Sequence, residues 1–208
     1  MESISAAGDA RVLWLAMVQR LMGRASHDVK DALNGVAVNL EVIRSRAERE
    51  GTPASAVASF AGAAGQQLER LSSLLEALLA VARPERDPVD VAVALRRVAT
   101  LCAASGSAGG RVEVDSDTAE DAITRLSGEV VRLALAAPMF EAVSAGGDAA
   151  TVHCTLRVEP TEVQVRMAAN AGRVLMPTDV ADVLRDAGIR WTNEENDSSV
   201  LSLAFPRA

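Results

Sequence analysis

Five residues whose types suit nucleophilic chemistry through an imidazole fall within one short stretch: His27, Asp28, Lys30, Asp31 and Asn34. A neutral imidazole nitrogen is nucleophilic near pH 7, and the hydrogen bond made by one ring nitrogen fixes which form the other takes. A carboxylate that holds the proton on one nitrogen leaves the other free to attack an electrophile such as a phosphoryl group. Asp28 is adjacent in sequence, but neighbouring residues on a helix diverge. Asp31, at i+4, shares the side of the helix that carries His27, so both acids are candidates for that bond. Lys30 supplies a point charge suited to a phosphoryl group. Asn34 lies one heptad after His27 and is a candidate partner-binding residue.

The element that must hold these groups is a helix. With Val29 at a d position, Leu33, Val36, Leu40, Ile43 and Ala47 follow at alternating spacings of four and three, the heptad pattern of a bundle helix. His27 then takes a b position on the solvent side. Upstream, Val12, Leu15, Val18, Met22 and Ala25 continue the pattern, and Trp14 and Met17 are expected to pack as well. The helix is expected from about Asp9, as N-cap, to about Glu50. Gly51 supplies a stop, Thr52 a new cap and Pro53 a first helical position. A second stripe follows in Val57, Phe60, Ala64, Leu68, Leu71, Leu75, Leu78 and Ala82. Residues 1–83 therefore read as a helical hairpin whose two stripes face one another, with Leu40 and Leu71 among the core positions. Two hairpins complete a four-helix bundle, so a homodimer through residues 9–82 is expected.

The run Arg83-Pro84-Glu85-Arg86-Asp87-Pro88 reads as a linker at 84–88. Beyond it, residues 89–208 mix helices and strands. Helices are expected from Val89 to about Ala104, from Ser127 to about Val143 and from about Thr178 to Ala187. Strands are expected at Arg111 to Asp115, Ala122 to Leu126, Thr151 to Val158 and Glu162 to Ala168. A last hairpin joins Ile189 to Asn193 with Val200 to Phe205. The fold class is thus multi-domain, α followed by α+β, the second part a two-layer sandwich.

A net charge of −7 argues against nucleic-acid binding, which needs a concentrated basic surface. The sequence lacks the apolar run of about 18 residues that a membrane span requires, and its N-terminus lacks the features of a signal peptide. A cytoplasmic protein without membrane attachment is expected. Cys102 and Cys154 belong to no metal-ligand spacing and read as core thiols.

The segment His27-Asp28-Val29-Lys30-Asp31-Ala32-Leu33 resembles the phosphoacceptor motif of the dimerisation and phosphotransfer domain of sensor histidine kinases. That motif reads His, acid, any residue, Lys or Arg, Asn or Asp, any residue, Leu. The elements after residue 89 resemble the ATP-binding domain of the same kinases, a fold shared with the gyrase and chaperone ATPases. The resemblance fails at the nucleotide site. Pro138 stands where the family has a metal-binding asparagine, and Ala169 where it has the adenine-binding aspartate. Only 173–178 remain where the family has a lid and a second glycine-rich box.

A retained phosphoacceptor joined to a stripped ATPase-like domain resembles the dimeric histidine phosphotransferases of bacterial phosphorelays. The resemblance implies transfer of a phosphoryl group between response-regulator receiver domains through His27, without ATP and without autokinase activity. It also implies no cofactor on this chain, Mg²⁺ belonging to the receiver. The alternatives are a docking pseudokinase that binds a kinase or receiver, and a divergent histidine kinase without a sensor.

Overall fold

Two helices of unequal length govern how the chain is assembled. In the computed structural model, which describes residues 2–49, 51, 53–82, 88–104, 110–115, 121–146, 150–194 and 197–208, α1 (Glu2–Ala47) has 46 residues and α2 (Ser55–Ala82) has 28. The expected cap at Thr52 and linker residues 84–87 lie outside the described residues. Gly51 adopts φ +80°, the left-handed conformation that ends a helix without strain when no Cβ is present. Because the turn pairs the end of α1 with the start of α2, the first half of α1 extends past its partner. This overhang buries Ala10, Trp14, Met17 and Leu21, at spacings of four, three and four.

The overhang packs on the C-terminal α/β domain. That domain contains β1 (Val89–Asp90), α3 (Val91–Ala104), β2 (Arg111–Asp115), β3 (Ile123–Thr124), α4 (Gly128–Gly146), β4 (Thr151–Val158), β5 (Glu162–Ala169), α5 (Thr178–Asp186), β6 (Arg190–Glu194) and β7 (Asp197–Pro206). Five strands form one sheet in the order β2-β4-β5-β7-β6. The β2–β4 pair is parallel and the other pairs are antiparallel. Val152, Cys154 and Leu156 of β4, Val163, Val165 and Met167 of β5, and Leu201, Leu203 and Phe205 of β7 all turn to one buried face. The alternate residues face solvent, the pattern of an antiparallel sheet covered on one side.

The helical layer lies over that face. α4 is apolar all round, as a helix packed on both sides must be. Its inner side meets the sheet and its outer side meets α1, so the overhang, α4 and the sheet form three layers with one core. Arg132 of α4 is buried, its Nε donates to the Gly128 carbonyl at 3.1 Å, and its guanidinium lies 5.2 Å from the Trp14 ring centre. The hydrophobic core therefore runs across the expected boundary between residues 1–83 and 89–208. Asp90 caps α3 by accepting from the N–H groups of Ala92 and Val93, a signal the periodicity did not carry. β3 falls within the strand expected at Ala122 to Leu126, while its partner β1 takes Val89 and Asp90 from the start of the expected helix. Cys102 and Cys154 are buried free thiols. Burial pushes Cys154 up to about 12 and raises Cys102 too, with the nearby Cys154 adding to the rise.

The hairpin seam corrects the expected facing of the two stripes. Ala25, Ala32 and Gly35 of α1 approach α2, where a Cβ on Gly35 would lie 3.3 Å from Gln67 Cγ. Leu33 and Leu40 are 49% and 54% exposed, and Leu68, Leu75 and Leu79 of α2 are also about half exposed. On α1 the seam positions are small, on α2 Ala64 and Leu74 are buried, and the leucines at 33, 40, 68 and 75 lie outside the seam. Helix geometry places both leucine rows on the same side of the seam. Gly23 lies between the overhang and the paired half of α1, with open space where a Cβ would stand.

Candidate functional site

His27 projects from the other side of the seam, with its side chain 77% exposed. The helix positions Asp31 one turn further on, and Asp31 Oδ2 lies 3.0 Å from His27 Nδ1. Of the two acids that sequence leaves open, Asp31 is therefore the one at the ring. This engages Nδ1 and leaves Nε2 without a partner among the described residues. Asn34 and Val38 follow at i+7 and i+11 on the same side, both exposed, as is Lys30. Val38 was not among the expected site residues.

Asp28 turns away from the ring toward α2. It is 7% exposed, and its Oδ2 has no hydrogen-bond partner among the described residues. Arg70 Nη2, on α2, lies 3.8 Å from that oxygen. Sequence spacing gives no means of finding Arg70, because it reaches the site only through the hairpin. One ligand atom each from His27, Asp28 and Asp31 lies within 4.8 Å of the others, a spacing at which a divalent cation could be held. The Arg70 guanidinium beside Asp28 opposes such an ion.

The positions matched to a nucleotide site have other structural work. Pro138 is buried in the interior of α4. Ala169 ends β5, and the next residue, Asn170, accepts from the Thr151 N–H at 2.7 Å and donates its own N–H to the Thr151 carbonyl at 3.0 Å. The turn after β5, where Gly172 has φ +87°, presses on the end of α4. A Cβ on Gly146 would come within 2.5 Å of Ala150 Cβ and 3.1 Å of the Ala171 carbonyl oxygen. Segment 173–178 is tied down rather than open. Val174 donates to the Ser198 carbonyl at 2.9 Å, and its own carbonyl accepts from Asn193 Nδ2 at 2.8 Å.

No protein-family model and no curated protein matches this sequence. Among solved structures, one described as a bacterial phosphotransferase aligns with 91% of this chain and 96% of its own, at TM-score 0.56 and 14% identity. The chain shares its fold, a helical hairpin followed by an α/β sheet domain. The histidine kinase domain of a blue-light-activated kinase from Erythrobacter litoralis aligns with 90% of this chain and 94% of its own, at TM-score 0.45 and 13% identity. A mycobacterial sensor histidine kinase aligns with 58% of this chain and 96% of its own, at TM-score 0.43 and 12% identity. Among the described residues no helix is long and apolar enough to cross a membrane.

Proposed function

We propose that this chain is a histidine phosphotransferase that carries a phosphoryl group between response-regulator receiver domains on His27. The observation that carries the reading is the exposed imidazole with Nδ1 held by Asp31 and Nε2 unengaged. In the transfer step, Nε2 attacks the phosphorus of a receiver's aspartyl phosphate. An N–P bond forms as the O–P bond breaks, and the aspartate leaves with the electron pair. Nδ1 keeps its proton, and the Asp31 carboxylate offsets the positive charge that develops on the ring. Reversal onto a second receiver returns the ring to neutrality. Lys30 adds charge on the exposed face, and Asn34 and Val38 extend that face for a partner.

The leucine rows support homodimerisation. Leu33, Leu40, Leu68 and Leu75 form an apolar surface that a second hairpin would cover as a four-helix bundle. The substitutions at Pro138 and Ala169 and the pinned 173–178 segment support a reaction without ATP, in which Mg²⁺ enters with the receiver. Incubation with a phosphorylated receiver should give an acid-labile, alkali-stable label, and His27→Ala should abolish it while changing stability by less than about 0.5 kcal/mol. Label persisting on His27→Ala, or wild-type protein that no receiver labels, defeats the proposal. A receiver that binds without transfer points to a docking pseudokinase, and metal-dependent labelling by ATP to a divergent kinase.

A further inference from the structure

Phosphorylation of His27 would bring an added charge of about −1.5 to −2 onto a ring that Asp31 contacts and near which the Asp28 carboxylate is buried. One atom each of Asp28 and Asp31 lies within 4.8 Å of a ring nitrogen of His27. Lys30 is on the same helix as these acids, and Arg70 is the cation that the opposite helix brings to them. Its 3.8 Å separation from Asp28 Oδ2 exceeds the roughly 2.7–2.9 Å of a charge-assisted hydrogen bond. Asp28 Oδ2 accordingly has no hydrogen bond, although the residue is more than nine-tenths buried. Arg70 itself is 50% exposed. A guanidinium has five N–H donors in a fork that matches phosphoryl oxygens, and this ion pair engages none of them at hydrogen-bond distance. On α2, Arg70 lies across the helix from Leu68, Leu75 and Leu79, which places it on the side of the seam that carries His27.

We infer that Arg70 is a phosphoryl-binding residue. In the resting protein it is held loosely by the buried Asp28 carboxylate, and on phosphorylation its fork turns outward to the oxygens on His27. Asp28 is then a positioning residue that keeps the guanidinium at the base of the site. The inference rests on the phosphotransfer reading of His27 but needs no particular receiver.

The test uses the full chain and potassium phosphoramidate, a small donor that phosphorylates accessible histidines. Arg70→Gln, which keeps the stem and removes the charge, should slow labelling of His27 about tenfold to a hundredfold, the usual effect of losing one charge-assisted bond. The ³¹P signal of the phosphohistidine should titrate at higher pH in that variant, because the dianion has lost its counter-charge. Arg70→Lys should recover the ³¹P titration in large part and the labelling rate less fully, since a point charge replaces the fork. Thermal melts establish that each variant is folded, and the ³¹P titration is insensitive to a small change in stability. Wild-type labelling rate and an unchanged ³¹P titration in Arg70→Gln would overturn the inference. Failure of phosphoramidate to label His27 at all would overturn it together with the phosphotransfer reading. Labelling by phosphoramidate with no transfer from any receiver would remove the relay and leave the Arg70 assignment standing.

Discussion

Residues 10–25 and residues 29–47 belong to one helix with one continuous apolar pattern, yet their surroundings are opposite. In the first half Trp14, Met17 and Leu21 lie in the core of the α/β domain. In the second half Leu33 and Leu40 remain half exposed, while Ala32 and Gly35 form the seam with α2. A periodic stripe shows that a face is apolar. Which part is covered within the protomer depends on elements encoded more than a hundred residues later.

The strongest way to break this contrast is Trp14→Ala. It removes a buried indole and the face on which Arg132 stacks, and should cost about 3–5 kcal/mol in denaturant unfolding. A cost below about 1 kcal/mol would show that the overhang is not part of the core. Leu33→Asp combined with Leu40→Asp tests the opposite half. Light scattering should report a dimer for the wild type at micromolar concentration and a monomer for the double variant, with the α/β domain still folded. A monomeric wild type would end the four-helix reading.

Smaller changes sharpen the contrast. Gly23→Ala, at the point where the two halves meet, should stabilise the protein by up to about 1 kcal/mol, because the site is open and helical. Destabilisation would mean that the junction needs glycine. The smallest effect is expected on the solvent face of the sheet, at Glu162. Gln164 donates to Glu162 Oε1 at 2.6 Å and Arg190 pairs with Oε2, and these interactions hold the carboxyl below the usual glutamate range. A carboxylate with a lowered native value stabilises the fold fully above its unfolded value, ~4.3 for Glu, and loses that contribution as pH falls through the native one. The stability gap between wild type and Glu162→Gln should therefore be widest near neutral pH and close in acid. A gap that does not vary with pH would remove the electrostatic account.

Much of the α/β domain was legible because one-sided burial writes itself into alternation. β2 and β4 have the expected bounds, and β5 exceeds its expected end by one residue. His27 stood out in the sequence by its motif, and its exposure agrees with the b position of the heptad. The sequence leaves the acid at its ring open between Asp28 and Asp31, which are alike in residue type, and the structure puts Asp31 there. Arg70 was not legible at all, since it approaches Asp28 from the other helix of the hairpin, across a seam that residue spacing within α1 does not describe. Leu40 lies outside the seam within the protomer for a related reason, as Ala32 and Gly35 occupy the inner positions of α1.

The unbroken course of α1 also governs how fast the backbone around His27 can open. Fraying is confined to the last turns of a helix, and His27 lies well inside one, two residues beyond the buried Ala25. Amide protons near the imidazole should therefore exchange with solvent more slowly than those in the last turns of α1. The imidazole is exposed, but the backbone beneath it lies well inside a continuous helix.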